Sequence, residues 1–342
     1  MVDTDGAPGP EAQDVGAQNV EAQNVEAQDF EQQTSHLRAE LLAHCYRMTG
    51  SLTDAEDAVQ ETYLRAWKAF GSFEGRSSVR TWMYKVATNT CLTSLGSASR
   101  RVLPARLGGV PGDPKAALVE RDEAWLEPLP DAMLWQTAAP TPEEELISRE
   151  NVTLAWTAAL QHLPPNQRAV LLLREVLQLS AEETAETLGT TVAAVNSALQ
   201  RGRAGVGDGL AAPALHAVRE QEAVRRFVAA FEAHDFDAVV AAMAEDVTWQ
   251  MPPFDRYYVG ARASAELSFT HCPARQAGDL RFLTTRANGQ PAVGMYLRKG
   301  HAYEAFQFQV LRVGLDERVD DVVGWFEARF FRLAGLPLVL EA

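Results

Sequence analysis

The chain has 342 residues, with 46 acidic residues against 31 Lys and Arg and a formal net charge of −15. That length supports two or three domains, each large enough to bury a core, and the acid excess argues against strong non-specific DNA binding by the free protein. Cys45, Cys91 and Cys272 are widely spaced, with no CxxC or metal-ligand pattern, which argues against a disulfide framework or a metal site and for reduced thiols.

Residues 1–35 carry eight acidic residues and no Lys or Arg, and contain a five-residue repeat, EAQDV, GAQNV, EAQNV, EAQDF, ending at Phe30. Its period fits neither a heptad nor a helical stripe, so a disordered acidic tail is expected. A helical domain is expected over 36–102. Leu37, Leu41, Leu42 and Cys45 open one helix, ending near Gly50. Thr53 or Asp54 starts a second, with Ala55, Ala58, Val59, Thr62 and Ala66 inward and Asp57, Gln60, Glu61 and Arg65 outward. A third covers 79–95, with Val79, Trp82, Met83, Val86 and Thr90 as its buried stripe. Its opposite face carries Arg80, Thr81, Tyr84, Lys85, Thr88 and Asn89. An aromatic among cations and amides suits single-stranded nucleic acid, because a ring stacks on bases while cations hold phosphates. From Leu64 to Arg106 eight cations face the single acid Glu74, a local field that an anionic backbone would sense.

Residues 103–143, rich in Pro, Gly and Ala, read as a linker. Within it Trp125-Leu126-Glu127-Pro128-Leu129-Pro130 is too apolar for a free connector and is expected to dock on a neighbouring domain. A second helical domain is expected over 144–210, opening with a helix from Pro142 to about His162. Ser180 and Glu183 form a capping box, Gly189 permits a tight turn, and Thr190 or Thr191 caps a helix whose apolar side is Val192, Val195, Leu199 and Val206. This is a helix-turn-helix, and its last helix presents Asn196, Ser197, Gln200, Arg201 and Arg203 for base edges and phosphates. Over 215–342 the pattern changes to two helices and then strand-like alternation: Val247, Trp249 and Met251; Phe306, Phe308 and Val310; Val319, Asp321, Val323 and Trp325. An α+β domain enclosing a pocket is expected. No apolar run reaches membrane-spanning length and no secretory leader is visible, so a cytoplasmic protein without a membrane partner is expected.

DAEDAVQETYLRAW, RTWMYKVATNTCL, LPPNQRAVLLLREVLQLSAEETAETLG and VNSALQRGRA, in that order, resemble the extracytoplasmic-function (ECF) sigma factors of the sigma-70 family. FVAAFEAHDFDAVVAAMAEDVTWQMPP resembles the opening of a SnoaL-like domain of the nuclear transport factor 2-like superfamily, and WLEPLP is similar to a linker signature of sigma factors bearing that extension. The resemblance implies a mainly α N-terminal half, comprising a sigma region 2 bundle and a sigma region 4 helix-turn-helix, followed by an α+β SnoaL-like cone-shaped barrel. It implies a transcription-initiation factor, not an enzyme and without a cofactor. Glu56, Asp57, Gln60, Glu61 and Arg65 would face the clamp of the largest subunit of RNA polymerase core. Arg80, Tyr84, Lys85 and Asn89 would meet the promoter −10 element, with Asn89 holding a flipped base. Asn196, Ser197, Gln200, Arg201 and Arg203 would meet the −35 element, although Ala198 stands where relatives often carry arginine. Trp125, Leu126, Pro128 and Pro130 would form a regulatory linker. A small-molecule ligand of the C-terminal domain is the remaining implied partner, with Trp249, Met251, Asp255, Tyr257, Tyr258, His271, Arg286, Tyr296, Phe306 and Phe308 as candidate pocket residues and Asp255–His271 as a candidate acid/base pair. Two alternatives are a ligand-responsive helix-turn-helix regulator acting without polymerase and a SnoaL-like enzyme tethered to DNA.

Overall fold

A computed structural model describes residues 28–75, 77–96, 101–134, 153–206 and 217–341. Most of the acidic repeat, Arg76, Arg100 and the expected start of the helix at Pro142 lie outside the described residues.

Residues 28–34 are helical, against the expectation of disorder through residue 35. The physical reason is Phe30, whose ring packs edge-on against Tyr63, Trp67 and Phe70 at centroid distances of 6.2, 5.6 and 5.1 Å. Helix α1 (Arg38–Thr49) ends at Gly50, whose φ of 70° supplies the left-handed cap. Helix α2 (Leu52–Ala69) begins slightly earlier than expected because the Ser51 side chain accepts from the Asp54 N–H. Its inward residues Ala55, Ala58, Val59, Thr62 and Ala66 are all buried, as its periodicity requires. Helix α3 (Val79–Leu95) is capped by Ser78.

The second helical unit comprises α4 (Leu154–Gln161), α5 (Pro165–Leu171), α6 (Ala181–Leu188) and α7 (Val192–Val206). Both halves of the Ser180–Glu183 capping box form, Gly189 is left-handed at φ 61°, and Thr191 Oγ1 accepts from the Ala194 N–H. This unit does not stand apart from the first. A single apolar core joins Leu42, Val59 and Met83 to Trp156, Leu171 and Val195. Arg168, on α5, is buried and donates to the carbonyls of Leu160, Leu163 and Gln161 of its own unit, and to Met48 O at the end of α1. Gln161 Nε2 donates to Arg47 O, 3.1 Å.

The C-terminal unit contains α8 (Ala217–Glu232), α9 (Phe236–Ala242), β1 (Met243–Gln250), β2 (Tyr257–Val259), α10 (Ala261–His271), β3 (Leu280–Ala287), β4 (Gln290–Lys299), β5 (Ala302–Val313), β6 (Val319–Trp325), α11 (Ala328–Leu333) and β7 (Val339–Glu341). The strand order is β2-β1-β6-β5-β4-β3, with β7 on β5. This is the cone-like α+β fold, with the sheet left open rather than closed into a barrel. One face packs on α8–α10. The other buries Tyr296, Phe308, Val323 and Trp325 with Phe330 and Phe331, and against Leu103, Leu126, Leu154 and Ala158 from outside the unit.

Two register shifts reassign faces that simple alternation gives wrongly. On β5, Met295 pairs with Gln307 and Tyr296 with Ala305, leaving Phe306 as the extra residue. Phe306 and Gln307 therefore both reach the helix-covered face, whereas Phe308 lies on the other. On β6, Arg312 pairs with Asp321 and Val313 with Val319, so Val319 belongs to one core and Val323 and Trp325 to the other.

Candidate nucleic-acid interface, strap and cavity

The outward side of α2 exposes Asp57, Gln60 and Arg65, with Glu56 and Glu61 half-buried. Arg65 Nε meets Glu61 Oε1 at 2.6 Å. Leu64, 55% exposed, and Trp67, 37% exposed, accompany them at helical spacing. Both are bulky apolar residues on an otherwise polar surface, Trp67 also packing on Phe30, and their place on the outward stripe was the sequence signal for them.

Helix α3 departs from expectation. Tyr84 is buried and not free to stack: its hydroxyl donates to Glu40 Oε2 of α1 at 3.0 Å, and Arg80 Nε meets the same oxygen at 2.8 Å. Burial, with the Glu40 charge beside it, raises the Tyr84 phenol, so it stays a neutral donor. Thr88 is buried against His44, Nε2 to Oγ1 2.9 Å. Lys85 and Asn89 are the polar residues that look away from α1, and both meet the helix-turn-helix. Lys85 Nζ lies 3.3 Å from Glu186 Oε1 and Asn89 Nδ2 donates to Thr187 O at 3.2 Å, both partners on α6.

On α7 all five expected residues, Asn196, Ser197, Gln200, Arg201 and Arg203, are exposed. Arg201 Nη1 donates to Ser197 Oγ, 2.6 Å, and Arg203 pairs with Glu175. Ala198 packs against the core, which accommodates its short side chain.

The stretch read as a linker is a fixed strap over 101–134. Leu126, Glu127, Pro128, Leu129 and Pro130 are buried, and Trp125 is half-buried. Glu127 joins three parts of the chain. Its carboxylate accepts from the Leu52 N–H at 2.7 Å, at the N-terminus of α2, and lies 3.0 Å from Arg329 of the C-terminal unit and 3.8 Å from Arg101. Its carbonyl accepts from the Tyr46 hydroxyl, 2.6 Å. Asn288 of the β3–β4 turn exchanges two bonds with Leu129 and donates to Tyr46 Oη. Trp325 Nε1 donates to Leu126 O, 3.0 Å.

Upstream, the strap lies along residues 253–257: Gly112 N–H to Tyr257 O, 2.8 Å, Asp255 N–H to Val119 O, 3.0 Å, and Arg121 N–H to Pro253 O, 2.9 Å. Here Leu118 enters the wall of a cavity of about 300 Å³. Of the ten expected pocket residues, Trp249, Met251, His271 and Phe306 line it. The others stand elsewhere. Tyr296 and Phe308 are on the opposite face of the sheet, Arg286 is salt-bridged to Asp131 and Glu220, Tyr257 donates to Gly109 O, and Tyr258 lies under the strap at Gly112. Asp255 and His271 do not form a working pair. Asp255 lies beside Arg121 and Arg256, each at 3.7 Å, and His271 Nε2 is 3.1 Å from Pro114 O, so the strap engages both. Gln307 and Gln309, which do line the cavity, escaped the sequence reading because they are polar residues inside an apolar strand pattern.

Among the described residues no cluster of three or more His, Cys, Asp or Glu could hold a metal, and no helix is long and apolar enough to cross a membrane. A helical pair of units with an exposed reading helix, fused to a cone-like pocket domain, defines the class of sigma-70-type initiation factors with a SnoaL-like extension. Residues 34–101 match the family model of sigma-70 region 2, 153–204 that of sigma-70 region 4, and 224–329 that of the SnoaL-like domain. The ECF RNA polymerase sigma factor SigG of Mycobacterium tuberculosis is 49% identical over 313 residues, which cover 89% of this chain and 83% of that relative. SigJ of the same organism is 30% identical over 217 residues, 62% of either chain. The crystal structure of SigJ has the same fold, with a TM-score of 0.55 at 21% identity over 88% of this chain and 98% of that one. The chain belongs to the ECF RNA polymerase sigma factors, and it carries a SnoaL-like C-terminal domain.

Proposed function

We propose that the sigma factor is held in cis in a closed arrangement, and that its C-terminal domain and strap set how readily it opens on polymerase and promoter. In this reading the outward face of α2, with Leu64 and Trp67 beside Asp57, Gln60, Glu61 and Arg65, docks on the clamp of the polymerase core. Lys85, Asn89 and Arg80 of α3 meet the −10 strand, and Asn196, Ser197, Gln200, Arg201 and Arg203 of α7 meet the −35 duplex.

The observation that carries the reading is the contact of Lys85 and Asn89 with α6. The −10 and −35 elements are about two dozen base pairs apart, or roughly 80 Å at about 3.4 Å per step. Two DNA readers in mutual contact do not reach both elements, and a base that takes the Asn89 amide competes with its bond to Thr187 O. Engagement of both elements therefore requires α3 and α6 to part. The C-terminal sheet opposes this, because Glu127 and Leu129 of the strap tie α1 and α2 to it while the Leu154 N–H of α4 donates to its Gln290 Oε1. The dispersal of Asp255 and His271 supports a binding role for the cavity over an acid/base one.

Transcription with core polymerase from mapped promoters tests the proposal. Full-length protein, a variant lacking 215–342 and a variant with the Trp125–Pro130 segment replaced should differ in promoter-dependent initiation. Equal initiation by all three refutes control in cis.

A further inference from the structure

Residues 28–33 lie ahead of the stretch that matches sigma-70 region 2, yet they are built firmly onto α2. Phe30 closes the fourth copy of the N-terminal repeat, EAQDF, where the three earlier copies end in Val15, Val20 and Val25. The exchange of valine for phenylalanine puts a ring at the position that docks. Phe30 is 7% exposed, and its ring meets the Trp67 indole at 5.6 Å between centroids with the planes at 66°. Two hydrogen bonds hold the segment down. The Tyr63 hydroxyl donates to Thr34 O at 2.8 Å, and Thr34 Oγ1 donates to Phe30 O at 2.7 Å.

The segment borders the outward face of α2 without lying over it. Phe30 touches Tyr63, Trp67 and Phe70, a row spaced by four and three residues. The outward row of Asp57, Gln60 and Leu64 runs beside it, and Leu64 stays exposed. Trp67 stands where the two rows meet, with one side against Phe30 and the rest of the indole in solvent.

We propose that Phe30 is a positioning residue for polymerase docking: its ring holds the Trp67 indole in place on the outward face of α2, ready for the clamp of the polymerase core. The inference rests on the docking reading of α2 given above. Its physical basis is the freedom of a half-exposed side chain. An indole with nothing behind it samples several rotamers, and ordering it on binding costs a factor of about two to ten in affinity. An edge-to-face contact restrains the ring before the partner arrives, so that cost is met during folding. Tryptophan is enriched among the few residues that dominate interfaces, which makes its orientation weigh more than that of a rim charge such as Arg65. A segment that covered the face would act in the opposite sense, and its removal would strengthen docking.

Equilibrium binding of full-length variants to core polymerase, without promoter DNA, tests the proposal. Phe30→Ala should weaken binding about three- to tenfold, and Trp67→Ala at least about tenfold. In the Trp67→Ala background Phe30→Ala should add less than about twofold, because the indole through which it acts is gone. Removal of residues 1–27, which keeps Phe30, should stay within about twofold of the parent. Removal of 1–33 leaves the whole region 2 match and should reproduce Phe30→Ala, which keeps the comparison open should the point variant melt early. Nitrogen-15 relaxation of the Trp67 indole N–H in the free protein gives a readout independent of polymerase. Its order parameter should fall from the rigid range, about 0.85, to below about 0.6 in Phe30→Ala. Parent-like or tighter core binding by Phe30→Ala overturns the proposal. So does an unchanged indole order parameter, or a full Phe30→Ala loss that persists in the Trp67→Ala background. Gln60→Ala and Leu64→Ala read the α2 face without touching Phe30. If they bind core like the parent, the docking reading itself falls; if they weaken while Phe30→Ala does not, only the role of Phe30 falls.

Discussion

Replacing Glu127 by alanine should loosen the closed arrangement without unfolding either half of the molecule. The carboxylate accepts from Leu52 N–H at 2.7 Å and Thr53 N–H at 3.4 Å, and it pairs with Arg329 at 3.0 Å. Loss of a cap-like acceptor costs about 1 kcal/mol, and loss of a negative charge from a helix N-terminus about 0.3–1 kcal/mol more. Breaking a fully buried pair would add about 3–5 kcal/mol, but the Arg329 side chain is 37% exposed and water replaces much of its partner, so about 1 kcal/mol is assigned. The sum is about 2–3 kcal/mol, which weakens the tie by roughly thirty- to a hundred-and-fiftyfold. Helix α2 itself should persist, because Ser51 still accepts from Asp54 N–H. In thermal unfolding the variant should melt about 5 °C below the parent, and Glu127→Gln, which keeps a carbonyl for Leu52, should fall between. The Leu52 amide should exchange faster in both. If Glu127→Ala melts with the parent and the Leu52 amide keeps its protection, the strap is not a clamp.

Arg168→Ala removes a buried guanidinium that bridges α5 to the end of α1, and should cost about 3–5 kcal/mol by chemical denaturation; a loss below 1 kcal/mol would mean that Arg168 is not what holds the two helical units together. His44 gives an acid-sensitive term. Burial, helped by the Arg47 charge, lowers its imidazole to about 3, so the unfolded chain takes up a proton first and stability falls as pH drops from about 6.5 toward 3, by about 1.4 kcal/mol per unit. His44→Gln should flatten that slope between pH 6.5 and 4, and an unchanged slope would place the acid sensitivity elsewhere. Glu186→Ala removes an exposed partner of Lys85, so stability should change by less than about 0.5 kcal/mol while holoenzyme binding to promoter DNA rises a few-fold at low salt. Arg201→Ala should lower the salt slope of holoenzyme binding to a −35 duplex by about one and leave binding to a −10 single strand unaffected.

The helical half was readable because its determinants are local. The Ser180–Glu183 box, Gly189, Gly50 and the inward row Ala55 to Ala66 are each decided within a turn or two of helix. The polar face of α3 was not, because Tyr84 and Thr88 are donors that serve a nucleic acid or a neighbouring helix equally well, and only the approach of Glu40 and His44 chooses. The pocket was half legible. Alternation picks out the strands, but the extra residue at Phe306 and the shift before Val319 exchange faces midway, and no propensity announces them. The strap was taken for a connector because its order comes from backbone bonds to 253–257 and to Asn288, partners more than a hundred residues away. Its apolar centre, Trp125–Pro130, was the one local sign of docking.

That strap also bears on how the molecule can be cut and recombined. The stretches that match families, 34–101, 153–204 and 224–329, leave it out. Yet Leu118 completes the cavity, Leu126 fills the outer face of the sheet, and Glu127 finishes a helix in the first unit. A fusion assembled from the three family segments would carry an unroofed chamber, a bare apolar sheet and a helix missing its acceptor, and should aggregate. The transplantable piece is the C-terminal domain together with residues 101–134, so the boundary of that module falls ahead of the second helical unit and the module is discontinuous in the chain.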